Sequence, residues 1–209
     1  EPPYTQGTSN TLAWSPSSDA GVGGVQYMVQ CSLDGAFTRL FEASQWMDGT
    51  SYTFSGLSDG TMYYYRVRSR DSFGYMSPWS SIETSVQDAS PPSTPSMVAE
   101  PPYTEGASNT VSWTLSIDTG VGGVLYFCEW DIFPGFGNPR GSSGWVPARE
   151  WTFGGLPERA IYYHVRAMDA LGQVSPWSEF VSSTQDASPP TTPSLNDLPA
   201  FTKGRAVVA

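Results

Sequence analysis

The residues of this chain whose types and spacing suit chemistry are mostly aspartates. Asp88, Asp118 and Asp169 each stand beside a stretch rich in glycine, proline or small polar residues, where a chain turns and a carboxylate faces other loops. Grouped carboxylates attract hard cations, calcium above all, which takes six to eight oxygens at about 2.3–2.6 Å. The competing reading is turn chemistry: the Asp-x-x-Gly spacing of Asp71–Gly74 and Asp169–Gly172 lets a carboxylate accept a backbone N–H of its own loop. Nucleophilic chemistry has less to draw on. His164 is the single histidine, and no local acid is placed to orient it behind a serine. Strand alternation turns it outward, as a stacked surface residue. Cys31 and Cys128 have neither Cys-x-x-Cys spacing nor histidines around them, so an ordinary zinc site fails on ligand count. No catalytic residue and no enzyme activity are expected.

Self-comparison reveals the scaffold that must position these groups. Glu1-Pro-Pro-Tyr-Thr recurs at Glu100, Ser9–Trp14 at Ser108–Trp113, Gly21–Val25 at Gly120–Val124, and Tyr52–Leu57 at Trp151–Leu156, each 99 residues on. Past Leu156 the offset becomes 98: Val67 matches Val165, Ser77-Pro-Trp-Ser80 matches Ser175–Ser178, and Gln87–Pro92 matches Gln185–Pro190. Leu198–Gly204 aligns with Glu100–Gly106 and opens a third copy. The expected division is a first domain at 1–88, a Pro-rich linker at 89–95, a second domain at 96–186, and a linker with the start of a third repeat at 187–209.

Within a copy the pattern is that of strands. Val25, Tyr27, Val29 and Cys31 alternate with polar residues, and Tyr63, Tyr65 and Val67 alternate with Tyr64, Arg66, Arg68 and Arg70. Asp-Gly and Phe-Gly steps punctuate the runs, and Gly 21 with Pro 18 supplies the turns. No segment has convincing helical periodicity. The fold class is all-β: two tandem sandwiches plus the first strands of a third. Aromatic content of 14% provides enough to bury to exclude a disordered chain. A net charge of −10 makes nucleic acid and anionic lipid poor partners, and no run is long and apolar enough for membrane insertion.

Each copy resembles a fibronectin type III domain, a small immunoglobulin-like sandwich. The marks are Trp14 and Trp113 on the second strand, Tyr27 and Tyr126 on the third, and Leu57 and Leu156 before a tyrosine-rich sixth strand. The run from Arg68 to Ser80, its counterpart from Arg166 to Ser178, and the Gln-Asp-Ala-Ser-Pro-Pro linker are similar to those of bacterial secreted members. The resemblance implies a tyrosine corner at Tyr63; the second copy has Ile161 there, with Tyr162 as the nearest hydroxyl. It also implies that the loops holding Asp118 and Asp169 share the pole where the preceding linker arrives, so that Asp88, Asp118 and Asp169 converge on one interdomain calcium. Trp79 is expected on the last strand beside Arg66 and Arg68, and Trp177 beside Arg166 and His164, as cation–π clips worth about 0.5–2 kcal/mol. Phe133 and Phe136, in a Gly/Pro-rich loop, either form a contact patch or fold over the sandwich edge. Both cysteines are expected to be free, buried thiols.

The implied function is a non-catalytic spacer, stalk or filament segment of an extracellular or cell-surface protein, of prokaryotic type. Its partners would be neighbouring repeats of the same array. Phe201–Ala209, an unpaired strand, would be available for donation to another subunit in a homo-oligomer or filament. The alternative is an adhesin or a carbohydrate- or protein-binding module using exposed aromatics such as Tyr4, Tyr103, Trp46 and Trp145.

Overall fold

The computed structural model describes residues 1–21, 23–120 and 122–196. Phe201–Ala209, with its expected strand donation, and the expected first strands of a third repeat from Leu198 onward lie outside the described residues. The first unit contains β1 (Tyr4–Gln6), β2 (Ser9–Ala13), β3 (Gln26–Ser32), β4 (Leu40–Ala43), β5 (Ser51–Ser55), β6 (Met62–Arg70) and β7 (Glu83–Asp88). The second repeats it as β8 (Tyr103–Glu105), β9 (Ser108–Ser112), β10 (Leu125–Asp131), β11 (Gly141–Val146), β12 (Glu150–Gly154), β13 (Ala160–Met168) and β14 (Val181–Asp186). No helix occurs among the described residues, and so none long and apolar enough to cross a membrane.

Each unit packs a five-stranded sheet on a two-stranded one. In the first unit the orders are β1-β7-β6-β3-β4 and β2-β5; in the second they are β8-β14-β13-β10-β11 and β9-β12. The first strand of each unit runs parallel to the last, with Tyr4 opposite Val86 and Tyr103 opposite Thr184. Upstream of β8, Val98 donates to Ser112 and Thr114 to Ser96, so this segment borders the small sheet before Pro101-Pro102 carries it across to the large one. Prolines suit that crossing because they donate no ladder hydrogen bond.

The alternating residues fill the cores. Leu12, Val29, Cys31, Phe54, Leu57, Tyr63 and Tyr65 cluster in the first unit, and Val111, Trp113, Tyr126, Cys128, Phe153, Ile161, Tyr163 and Val165 in the second. Each large apolar side chain so buried stabilises its unit by roughly 1.5–3 kcal/mol before entropy is counted. Tyr27 and Tyr126 each accept a backbone N–H with their hydroxyl, from Ser17 at 2.7 Å and from Ser116 at 2.9 Å, tying the β2–β3 and β9–β10 loops to the sheet. The Tyr63 hydroxyl accepts the Ser58 N–H at 2.9 Å. Its counterpart Ile161 is fully buried, while Tyr162 packs edge-on against Phe180. Cys31 and Cys128 are free and fully buried. Burial pushes the Cys31 thiol up to about 12 and the Cys128 thiol further still.

Candidate functional site at the domain junction

Three features of the fold bring side chains together outside the cores: a ladder on each large sheet, a hydrogen-bonded clip beside it, and the junction between units. The ladder of the first unit runs along the outer face of β6. Arg66 lies between Phe37, at 3.8 Å, and Trp79, at 4.2 Å; Arg68 lies over Trp79 at 4.4 Å and Trp46 at 5.6 Å; Arg70 covers Trp46 at 4.4 Å. Gln30 accepts from Arg66 and Gln26 from Arg70, which fixes two guanidinium planes over the rings. The second unit has a shorter version: His164 is stacked between Phe136 and Trp177, and Arg166 lies over Trp177 at 4.4 Å with Phe127 and Trp145 beyond.

His164 does face outward from the sheet, yet it is not a surface residue: the two flanking rings leave it 7% exposed, and its Nε2 is 2.8 Å from Glu129. Burial pulls its pKa below 6.5, with the Glu129 carboxylate opposing and Arg166 adding to the shift. Phe136 thus folds over the sandwich, whereas Phe133 stays exposed.

Trp79 and Trp177 are not on the last strand, which begins only at Glu83 or Val181. Pro78 and Pro176 interrupt the ladder there, and serine hydroxyls take over. Ser77 and Ser80 accept the Ser69 and Val67 N–H groups, while their own N–H groups donate to the same residues' carbonyls. Ser175 and Ser178 do the same for Ala167 and Val165. Each Ser-Pro-Trp-Ser stretch is therefore a side-chain clip on its sheet. Trp46 and Trp145 are half-buried and face arginines of the ladder, while Tyr4 and Tyr103 are exposed.

The junction is made by both units and the linker. Asp59, in the β5–β6 turn, accepts from Ala89 N–H at 2.7 Å, Ser90 Oγ at 2.6 Å and Thr119 Oγ1 at 2.5 Å. Ser90 and Thr119 hold its carboxyl below the usual range. Ser93 and Ile117 exchange two bonds at 2.8 Å between the linker and the β9–β10 loop. Pro92 and Pro95 are buried. Gly60, at φ 66°, allows the approach: a Cβ there would lie 2.7 Å from the Thr119 carbonyl oxygen.

Asp88, Asp118 and Asp169 meet at this junction, each presenting a carboxylate oxygen within 4.8 Å of the other two. Asp88 is the last residue of β7, not part of the linker, because its backbone still pairs with Gln6. Gln173 donates to its Oδ1 at 2.7 Å. Asp169 Oδ1 accepts the Leu171 and Gln173 N–H groups, which is the turn chemistry its spacing suggests; its Oδ2 is sealed from solvent and has no hydrogen-bond partner. Asp118 repeats this division, with Oδ1 accepting the Gly120 N–H and Oδ2 sealed and unpartnered. Neither the Asp59 contacts nor the Gln173 bond to Asp88 has a sequence signal, because both residues reach the linker region only through the fold.

No protein-family model matches the chain. It is 31% identical to Chitinase A1 of Niallia circulans over 211 residues, covering 95% of this chain and 27% of that protein. It is 31% identical to Exoglucanase B of Cellulomonas fimi over 194 residues, covering 88% of this chain and 16% of that protein. Roundabout homolog 3 of Homo sapiens is 29% identical over 213 residues, covering 88% of this chain and 15% of that protein. The chain thus spans about a quarter or less of the length of these relatives. Among solved structures, the FN1–FN3 domains of chicken CNTN1 match with a TM-score of 0.42 at 15% identity, over 88% of this chain and 68% of that one.

Proposed function

Since the chain is a tandem of fibronectin type III-like β-sandwiches, we propose that it is a non-catalytic spacer segment of an extracellular or cell-surface protein, holding neighbouring parts at a set distance and angle. The observation that carries this reading is the junction. Asp59 of the first unit binds the linker and Thr119 of the second through one carboxylate, so the two units are tied by side chains of both. A flexible tether would need no such bonds.

The repeat supports extension of the same arrangement. Glu158 and Ser188 stand at the repeat positions of Asp59 and Ser90, and they are hydrogen-bonded at 2.5 Å. Leu195 takes the position of Met97, which packs on the second core, yet Leu195 itself is 99% exposed. That surface fits a following repeat. The relatives place similar segments within a chitinase and an exoglucanase by name, where a spacer between functional parts is a fitting role.

Depletion binding to insoluble chitin and cellulose tests the reading against polysaccharide recognition. The spacer reading expects the chain to remain in the supernatant and to leave both polymers undegraded. Retention on either polymer, or release of sugar, overturns it.

A further inference from the structure

We propose that Asp88, Asp118 and Asp169 form a binding site for a hard divalent cation, calcium by preference, at the junction of the two units. One carboxylate oxygen from each residue lies within 4.8 Å of the others. Two oxygens on one calcium at about 2.4 Å are at most about 4.8 Å apart, so a single ion spans the set.

Turn chemistry does not exhaust these carboxylates. It occupies Oδ1 of Asp169 and of Asp118, and leaves both Oδ2 atoms sealed without a hydrogen bond. Asp169 is 2% exposed and Asp88 fully buried. Sealed carboxylate oxygens lacking a donor are unfavourable, and three carboxylates so near repel one another, unless positive charge lies among them. The backbone is also shaped for the approach: a Cβ on Gly120 would sit 2.4 Å from the Asp88 carboxyl carbon. The donor set is all oxygen, which favours calcium or magnesium over zinc or copper. Magnesium dehydrates reluctantly and demands near-octahedral geometry, whereas calcium accepts irregular cages completed by carbonyls and water.

The repeat indicates where further sites would arise. Asp19 and Asp71 hold the first unit's positions for Asp118 and Asp169, and Asp186 holds the second unit's position for Asp88. The first unit therefore carries two of the three positions at its outer pole, and the second unit carries the remaining one at its own. Cation binding stands without the spacer reading; the consequence that it stiffens the junction rests on that reading.

Isothermal titration of the full chain with calcium chloride, after chelator treatment, tests binding. One site per chain is expected, with Kd about 10⁻⁵–10⁻³ M, together with a calcium-dependent rise in the second unit's melting temperature. Asp169→Asn keeps an oxygen for the turn and removes the charge; it should weaken binding by at least about tenfold. Asp71→Asn should leave binding unchanged. Absence of binding heat and of a melting shift overturns the site, as does an Asp169→Asn chain that binds like the parent. Should that variant lose its β-sheet circular dichroism, Asp118→Asn, on a half-exposed loop, carries the same comparison. X-ray scattering with and without calcium then separates the two readings. Binding without any change in the scattering-derived length distribution removes the stiffening role and leaves the site; retention on chitin or cellulose removes the spacer reading and leaves the site.

Discussion

Phe136 and His164 stack with ring centroids 3.5 Å apart and planes within 10° of parallel, although Phe136 holds a φ of 46° to do so. Phe37, 99 residues earlier, holds a φ of 58° and lies on Arg66, the repeat counterpart of His164. These are the two non-glycine residues with positive φ among those described. A left-handed backbone costs a side-chain-bearing residue about 1–2 kcal/mol. Both units accept that strain at the same place, to cap the same ladder.

Phe136→Ala should destabilise the second unit by about 1–3 kcal/mol, since the strain stays while the stack is lost. Phe136→Gly loses the stack but relieves the backbone, so it should be milder than Ala by about 0.5–1 kcal/mol. Urea denaturation followed by tryptophan fluorescence measures both. Equal losses would mean that the φ carries no strain.

The buried His164 gives the second unit a pH dependence with a definite sign. Its folded pKa lies below the 6.5 of the free side chain, so the unfolded chain binds the proton more readily. Stability contributed by the neutral ring is intact above 6.5 and is lost as pH falls through that value toward the folded pKa. Glu129 and Arg166 face the ring and set the size of the effect. Denaturation midpoints at several pH values between about 7.5 and 5 should fall on acidification, and less so in His164→Asn. A midpoint that rises on acidification would mean that the Glu129 ion pair outweighs burial.

How much of this was legible depended on whether the signal was periodic. Alternation around Tyr27 and Tyr63 gave the strands and their buried faces, and the 98–99-residue offset gave the two units. The pairing of Trp79 with Arg66 and Arg68 was expected from a place on the last strand, whereas the structure seats Trp79 in a clip ahead of that strand. Its serine hydroxyls replace strand hydrogen bonds, and no periodicity encodes that substitution. His164 was legible as outward-facing and not as covered, because Phe136 reaches it from a loop whose path depends on one unusual φ. The proximity of the three aspartates was implied by the resemblance to the fibronectin type III fold, whereas Asp59 and Gln173 meet their partners through contacts that no repeat or alternation encodes.

Tyr63→Phe should cost the first unit about 0.5–3 kcal/mol, because the Ser58 N–H loses its acceptor. Tyr162→Phe should change the second unit by less than about 0.5 kcal/mol. Calorimetry of each variant beside the parent measures both, and a large loss in Tyr162→Phe would place the second unit's corner on that hydroxyl.

Neither thiol should react with a water-soluble disulfide reagent in the folded chain, since burial raises both thiol pKa values and blocks access. Two thiols per chain should react in denaturant. Rapid labelling of Cys31 or Cys128 under native conditions would mean that its core opens.

Asp59→Ala should loosen the junction without harming either core, since the carboxylate binds only turn, linker and the neighbouring unit. X-ray scattering should show a broader length distribution, while the melting of each unit moves by less than about 1 kcal/mol. An unchanged distribution would mean that the prolines alone fix the angle.

The parallel pairing of each unit's first and last strands has a mechanical consequence. Because β1 runs alongside β7 in the same direction, the start of one and the end of the other lie at opposite ends of their shared ladder. Tension along the chain therefore pulls the two strands past each other and loads the bonds from Tyr4–Val86 to Gln6–Asp88 together, in shear. Antiparallel terminal strands would peel apart one bond at a time. The same pairing of β8 with β14 gives the second unit the same load path, so force applied along the tandem meets the sheets in their resistant direction.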